Sequence, residues 1–145
     1  MLMKKEKNND GTINVTVRYN NGKLAIDCDM TDEGRIKNIS VYLIDGSTMW
    51  SFSLNENGNI DGELTTYNST HYYNSYSTWK DGVCIDPGND RDLEVGSTIE
   101  DNAEEMPNCN LAWDLDSYID FLREDDYDEV LVDLNDPKWE GYEEI

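Results

Sequence analysis

The stretch INVTVRYNNGKLAIDCDM, residues 13–30, carries the clearest secondary-structure pattern in the chain. On either side of Asn21-Gly22, apolar side chains occupy every second position, which is the period of a β-strand with one buried face. Asn-Gly between two such runs is the strongest short-range signal for a hairpin. The stretch therefore predicts two antiparallel strands whose shared apolar face is buried. The opposite face, which carries Asn14, Asp27 and Asp29, is expected to be solvated.

The same alternation continues downstream, and tight turns are predicted at Asp45-Gly46 and Asn57-Gly58. Further strands are predicted in residues 35–44, 50–54 and 60–67. Residues 68–79 are polar with interspersed aromatics and predict either a sixth strand or an ordered loop. Residues 80–110 contain several Gly and Pro and predict mainly loop, in which a short element could lie.

One amphipathic helix is predicted in residues 114–124, where Leu115, Ile119 and Leu122 fall on one side at helical spacing. A continuous apolar run then predicts a strand over residues 128–134. Strands followed by a helix and a strand are typical of an α+β fold. The predicted fold is an antiparallel β-meander of about five or six strands, with one C-terminal amphipathic helix and a following strand.

The predicted organisation is a single α+β domain over residues 11–136, since 145 residues are enough for one core. Residues 1–10 are interpreted as a flexible N-terminus and residues 137–145 as an acidic tail. Within the domain, residues 11–80 form a nearly neutral, β-rich half. Residues 81–136 form a strongly acidic half.

The charge of the chain restricts its partners. The formal net charge is −21, and residues 81–145 contribute 22 acids and 3 bases, a net of −19. A field of this sign repels nucleic acid and anionic membranes, and it attracts positively charged proteins. We therefore expect a basic protein partner, with no direct nucleic-acid binding and no membrane binding.

The N-terminal sequence has basic residues without an apolar stretch behind them, so it does not predict a signal peptide. Three widely spaced cysteines are typical of a reducing compartment rather than of a disulfide framework. The expected location is the cytoplasm.

The acidic residues of the helix give the candidate site. Asp116, Asp120 and Glu124 are spaced by four residues, about 6 Å along the helix axis, opposite the apolar side. Arg123 is the only base between residues 114 and 136, whereas an ordinary solvated helix face, the alternative interpretation, usually mixes signs. A regular row of anions is typical of a nucleic-acid strand. The acids predicted to bind the partner are Asp114, Asp116, Asp120, Glu124, Asp125, Asp126, Asp128, Glu129, Asp133 and Asp136.

An aromatic patch formed by Tyr72, Tyr76 and Trp79 is a second candidate for partner binding, since Tyr and Trp are enriched at interface hot spots. The alternative is that these residues pack on the sheet as strand residues.

A metal site is considered for two sets of residues. Asp86, Asp90, Asp92 and Glu94 offer the oxygen ligands that calcium prefers, but Val95 stands where an EF-hand loop starting at Asp90 requires Gly. The second set could supply zinc ligands, and it consists of Cys28, Cys84, Cys109 and His71. No two of these residues have the short sequence spacing that is typical of zinc ligands.

Catalysis is not indicated either. His71 is the only histidine, and neither Cys84 nor Cys109 has a recognisable local signature of a nucleophile. No glycine-rich phosphate loop is present. We predict no metal, no cofactor and no enzymatic activity.

In charge, size and lack of catalytic motifs, the chain is similar to the phage and mobile-element proteins that block restriction or CRISPR systems. The resemblance implies an acidic inhibitor that mimics nucleic acid and occupies the basic groove of a nuclease, a restriction enzyme or an RNA-guided effector. One alternative is an immunity protein that neutralises a basic bacterial toxin, because the same electrostatics apply. Another is a calcium-binding or other ligand-binding module.

Overall fold

The computed structural model describes residues 1–68, 73–102, 114–127 and 129–145. These residues contain nine β-strands, all paired in antiparallel fashion, and one α-helix, so the protein is mostly β with an α+β composition. The strands are β1 (Leu2–Lys7), β2 (Ile13–Arg18), β3 (Leu24–Met30), β4 (Ile36–Tyr42), β5 (Thr48–Ser53), β6 (Gly62–Asn68), β7 (Tyr73–Lys80), β8 (Val83–Asp86) and β9 (Glu143–Glu144), and the helix is α1 (Leu115–Arg123).

The chain divides into two compact units. The first combines Met1–Ser47 with Trp113–Ile145, and the second is Thr48–Ala112. In the first unit the strands are ordered β4-β3-β2-β1-β9, and in the second β8-β7-β6-β5. Within each unit, strands adjacent in sequence are neighbours, as a meander requires. The strand count exceeds the predicted five or six because β1, β8 and β9 lie in segments predicted as termini or loop.

The predicted hairpin of residues 13–30 is formed by β2 and β3. The Tyr19 N–H donates to the Lys23 carbonyl at 2.9 Å, and the Gly22 N–H donates to the Tyr19 carbonyl at 2.8 Å. Gly22 has φ +88°, the left-handed conformation that closes a three-residue hairpin loop. The turn residues therefore set the register in which Val17 faces Ile26.

The core of the first unit follows the predicted strand parity. Val15 and Val17 of β2 are buried, as are Ile26 and Cys28 of β3. These apolar side chains lie on one face, since successive strand residues alternate between faces. The predicted alternation is confirmed at these four positions, but Ala25, which it places on the opposite face, is also fully buried, next to the register shift between Val17 and Arg18.

The opposite face of this sheet carries a polar network centred on Asp29. Its carboxylate accepts hydrogen bonds from the side-chain amides of Asn8, Asn14 and Asn38, at 3.1, 3.0 and 3.2 Å. The hydrogen bond from Asn14 makes the largest contribution in holding the pKa of Asp29 below its usual value. Asparagines from the turn between β1 and β2, from β2 and from β4 thus share one charged acceptor.

The first ten residues differ from the predicted flexible terminus. They include β1, which pairs with β2 along its whole length, and Leu2 is fully buried. Lys5 to Lys7 are exposed. These charged residues, which make this segment look unlike a strand in the sequence, therefore lie in the solvated part of β1.

The predicted acidic tail, residues 137–145, also contains regular structure, because β9 pairs with β1. Arg18 holds this segment. Its guanidinium lies 5.4 Å from the ring centre of Trp139 and 5.6 Å from that of Tyr142, and its Nε donates to the Tyr142 hydroxyl at 2.9 Å. These cation–π contacts attach the C-terminal segment to β2.

The strand predicted over residues 128–134 is wrong for every described position, since residues 129–134 contain no strand. Leu131, in the centre of the apolar run, is 70% exposed. The described strand that follows α1 is β9, which lies beside β1 at the edge of the sheet.

The sequence left two regions of the second unit open: residues 68–79, as strand or loop, and residues 80–110, as loop with a possible short element. Residues 73–80 form a strand, β7, and the predicted loop region contains β8 and a 3₁₀ turn at Glu100–Asn102. Trp50, Phe52 and Leu64 are buried in this unit.

Candidate functional site

Helix α1 begins where the sequence supplies a capping residue. The Asp114 carboxylate accepts hydrogen bonds from the Ser117 N–H at 2.9 Å and from the Ser117 hydroxyl at 2.8 Å. Both bonds satisfy groups at the helix start and hold the pKa of Asp114 below its usual value, the backbone bond contributing more. Leu115, Ile119 and Leu122 are buried, so the predicted amphipathic helix is confirmed.

The acids of the helix lie on its solvated side. Asp116, Asp120 and Glu124 are all exposed, and Glu124 keeps helical backbone angles as the C-terminal cap. Arg123 lies 3.7 Å from Asp120, and both side chains are largely in solvent. An exposed pair of this kind contributes little and leaves the face strongly negative.

The acids after the helix differ in their exposure and in their hydrogen bonds. Asp125, Glu129 and Asp133 are exposed. The side chain of Asp133 accepts from the Asn135 N–H at 3.0 Å, and Asp136 accepts from the Lys138 N–H at 3.1 Å as the cap of a 3₁₀ turn. We call seven exposed acids the acidic surface: Asp114, Asp116, Asp120, Glu124, Asp125, Glu129 and Asp133.

Asp126 does not belong to this surface, although its sequence position suggests it. Its side chain is 1% exposed, and Oδ2 lies 3.6 Å from the α-amino nitrogen of Met1. The Asn20 N–H donates to both carboxylate oxygens, at 3.1 and 3.3 Å. A buried carboxylate with these contacts positions the chain and cannot meet a partner directly.

The field of these acids reaches the core of the first unit. Burial raises the pKa of the Tyr19 hydroxyl, and the charges of Asp125, Asp126 and Asp45 raise it further. Tyr19 donates to the Tyr42 carbonyl at 2.6 Å and therefore stays neutral. Asp45, which the sequence analysis did not select, thus adds negative charge at this end of the unit.

The aromatic patch is only partly accessible. Trp79 is 1% exposed, and its indole N–H donates to the Ser77 hydroxyl at 2.8 Å, so it is a core residue of the second unit. Tyr76 is 45% exposed. Tyr72 and Asp128 lie outside the described residues.

The candidate metal ligands that the structure describes are not grouped as a metal site. In the described ranges, no three His, Cys, Asp or Glu residues are placed to hold a metal ion. Asp86 accepts from the Gly88 N–H and Asp90 from the Asp92 N–H, each at a spacing of two residues, which is the geometry of polar turns.

The thiols are poor candidates for chemistry. Cys28 and Cys84 are buried and free, and burial makes the largest contribution in raising the pKa of each, that of Cys28 to about 12. Neutral buried thiols are weak nucleophiles and weak metal ligands. His71 and Cys109 lie outside the described residues.

Two exposed apolar residues were missed by the sequence analysis. Tyr127 is 87% exposed and Leu131 is 70% exposed, and both lie among the acids that follow the helix. The signal available in the sequence was that Tyr127 stands between acidic residues on both sides, where no apolar face is expected.

No protein-family model matches the chain, and no curated protein or solved structure is significantly similar to it. Among the described residues, the only α-helix has nine residues. It is too short, and not apolar enough, to cross a membrane.

Proposed function

We propose that this protein is an acidic inhibitor that occupies the basic nucleic-acid-binding surface of a nuclease or defence effector, as a mimic of nucleic acid. The observation that carries the proposal is the acidic surface itself. Seven carboxylates in residues 114–133 are exposed, and the one Lys or Arg in this range is the solvated Arg123. Maintaining such a charge density costs stability through self-repulsion, which favours a use in binding.

The helix supports the mimicry in particular. Its four-residue spacing places Asp116, Asp120 and Glu124 on one side of a rigid rod at intervals of about 6 Å. A groove that neutralises successive phosphates with Lys and Arg side chains can meet such a row with the same side chains. Association is then steered by charge and weakens as salt rises.

The partner is identified by using the protein as bait in extracts of its native host, followed by mass spectrometry. The decisive measurement uses the purified partner, with a DNA or RNA duplex as competitor. We expect the duplex and this protein to exclude one another, and the association rate to fall steeply with sodium chloride concentration. A partner that holds both at saturation contradicts the proposal.

A pair of matched charge variants tests which acids are responsible. Asp116→Asn with Glu124→Gln removes two exposed charges from the acidic surface. Asp32→Asn with Glu33→Gln removes two exposed charges from the loop between β3 and β4. Each exposed contact contributes about 1 kcal/mol or less, so the first variant should bind up to about thirtyfold more weakly. The second should change affinity much less. Equal losses would mean that only net charge matters.

A further inference from the structure

The segment that follows α1 is attached at two points to Asn20, in the turn between β2 and β3. The Asp126 carboxylate accepts from the Asn20 N–H, and the Leu131 N–H donates to the Asn20 carbonyl at 2.8 Å. Because both attachments are on one residue, positions 126 and 131 must lie close together. The described residues of this segment, 126–127 and 129–131, are therefore held near Asn20 at both ends, and we call these residues the 126–131 loop.

Two apolar side chains of this loop are exposed, although the side chain of Asp126 is buried and Val132 is half-buried. Asp126 is 1% exposed, whereas the adjacent Tyr127 is 87% exposed. The backbone of Leu131 is fixed by Asn20, yet its side chain is 70% exposed. Val132, next in the chain, approaches Gly22 so closely that a Cβ added there would lie 2.9 Å from its Cγ1. The exposed side chains therefore stand on a backbone held from both ends.

The chemistry around Tyr127 and Leu131 selects the partner. The exposed carboxylates of Asp125, Glu129 and Asp133 flank them in sequence. Nucleic acid and anionic membranes are repelled by this charge. A cationic protein surface is attracted, and an apolar pocket in it would remove Tyr127 and Leu131 from water. Tyr is also an effective anchor because it buries a large area at a low cost in conformational entropy.

We propose that Tyr127 and Leu131 are apolar anchors, presented by the 126–131 loop, that dock into an apolar pocket within a cationic protein surface. The inference rests on the proposed function, since it supplies the specificity that carboxylates alone do not. Charge brings the two proteins together and governs the association rate. The anchors, buried at the centre of the contact, govern the dissociation rate.

Two synthetic peptides of equal length and charge serve as probes. One is an amphipathic helix of Lys and Leu, and in the other Gln replaces every Leu. Binding of each labelled peptide to the full-length protein is measured by fluorescence anisotropy at physiological salt. We expect the Lys–Leu peptide to bind about tenfold more tightly, the scale of a hot-spot contribution. The Lys–Gln peptide reports the carboxylates alone.

The decisive variant is Tyr127→Ser with Leu131→Ser, and Val95→Ser is its control. Val95 is 68% exposed and lies in the second unit. The double variant should lose the preference for the Lys–Leu peptide while binding the Lys–Gln peptide unchanged, and the control should keep the preference. Since all three side chains are exposed, thermal melts should show that both variants fold.

The outcomes separate the two proposals. If both peptides bind equally, or if the preference survives in the double variant, the anchors are refuted while the acidic surface stands. If neither peptide binds even at low salt, the acidic surface fails as well, and the anchors fail with it.

Discussion

Asp126 and Asp125 are adjacent carboxylates, one buried and one exposed. Replacing each by Ala compares the contribution of a buried carboxylate to stability with that of an exposed one. Asp125 is exposed, whereas the side chain of Asp126 is 1% exposed and lies beside the α-amino group of Met1. We expect Asp126→Ala to destabilise the fold strongly and Asp125→Ala to leave it nearly unchanged.

The magnitude follows from the contacts of Asp126. Its carboxylate accepts from the Asn20 N–H, and a hydrogen bond to a charged group contributes about 1.5–3 kcal/mol. Removal also leaves the Met1 α-amino group, 3.6 Å away, without its counter-charge. Breaking a buried ion pair costs about 3–5 kcal/mol in total, and an exposed substitution such as Asp125→Ala changes stability by about 0.5 kcal/mol or less.

The assay is urea denaturation followed by circular dichroism, with the free energy of unfolding taken from the midpoint and slope. The protein must be produced with Met1 as its first residue, because a tag would convert the α-amino group into an amide. If Asp126→Ala unfolds at the same urea concentration as Asp125→Ala, the structural role assigned to Asp126 is refuted.

Three further predictions concern the sheet of the first unit. Gly22→Ala should lower the free energy of unfolding more than Gly34→Ala does. Both residues have φ near +89°, but only at position 22 would a Cβ meet Val132. This overpacking should add about 1–3 kcal/mol of destabilisation, measurable by urea denaturation. Because hydrogen bonding lowers the folded-state pKa of Asp29 below 3.8, its stabilisation is complete above that pH and is lost as pH falls through the folded pKa. The stability difference between the protein and Asp29→Asn, measured across pH 2–7, should therefore shrink only in the acid range; a constant difference would contradict this. Cys28, whose pKa is raised to about 12, should react with a thiol reagent at pH 8 only after unfolding, as read by mass spectrometry of its peptide, and rapid labelling of the native protein would exclude this burial.

Local patterns in the sequence were sufficient where one face of an element is buried. The alternation around Gly22 predicted β2 and β3 with the correct faces, because strand side chains alternate with a period of two. The spacing of Leu115, Ile119 and Leu122 predicted α1 in the same way. Net charge and the exposed acids of the helix were also readable directly.

The local sequence pattern gave a wrong prediction where tertiary contacts determine which segment forms a strand. The apolar run around Leu131 predicts a strand, yet the strand that pairs beside β1 is β9, an acidic segment with no strand pattern. Two residues of β9 can pair there because Arg18, through Trp139 and Tyr142, holds the segment in place. Pairing depends on which backbone reaches the free edge, and a local window does not contain that information.

Local sequence was enough to predict the hairpins of the meander, the amphipathic helix and the strong negative charge of the second half, because each depends on residues close together in the chain. Only the tertiary structure separated Asp126 from Asp125 and exposed Tyr127 beside it. These three consecutive residues are all polar or amphipathic, and the one that is buried, Asp126, accepts hydrogen bonds from Asn20, more than one hundred positions away. A carboxylate acts in stability or in binding according to whether such a distant backbone group takes it out of water.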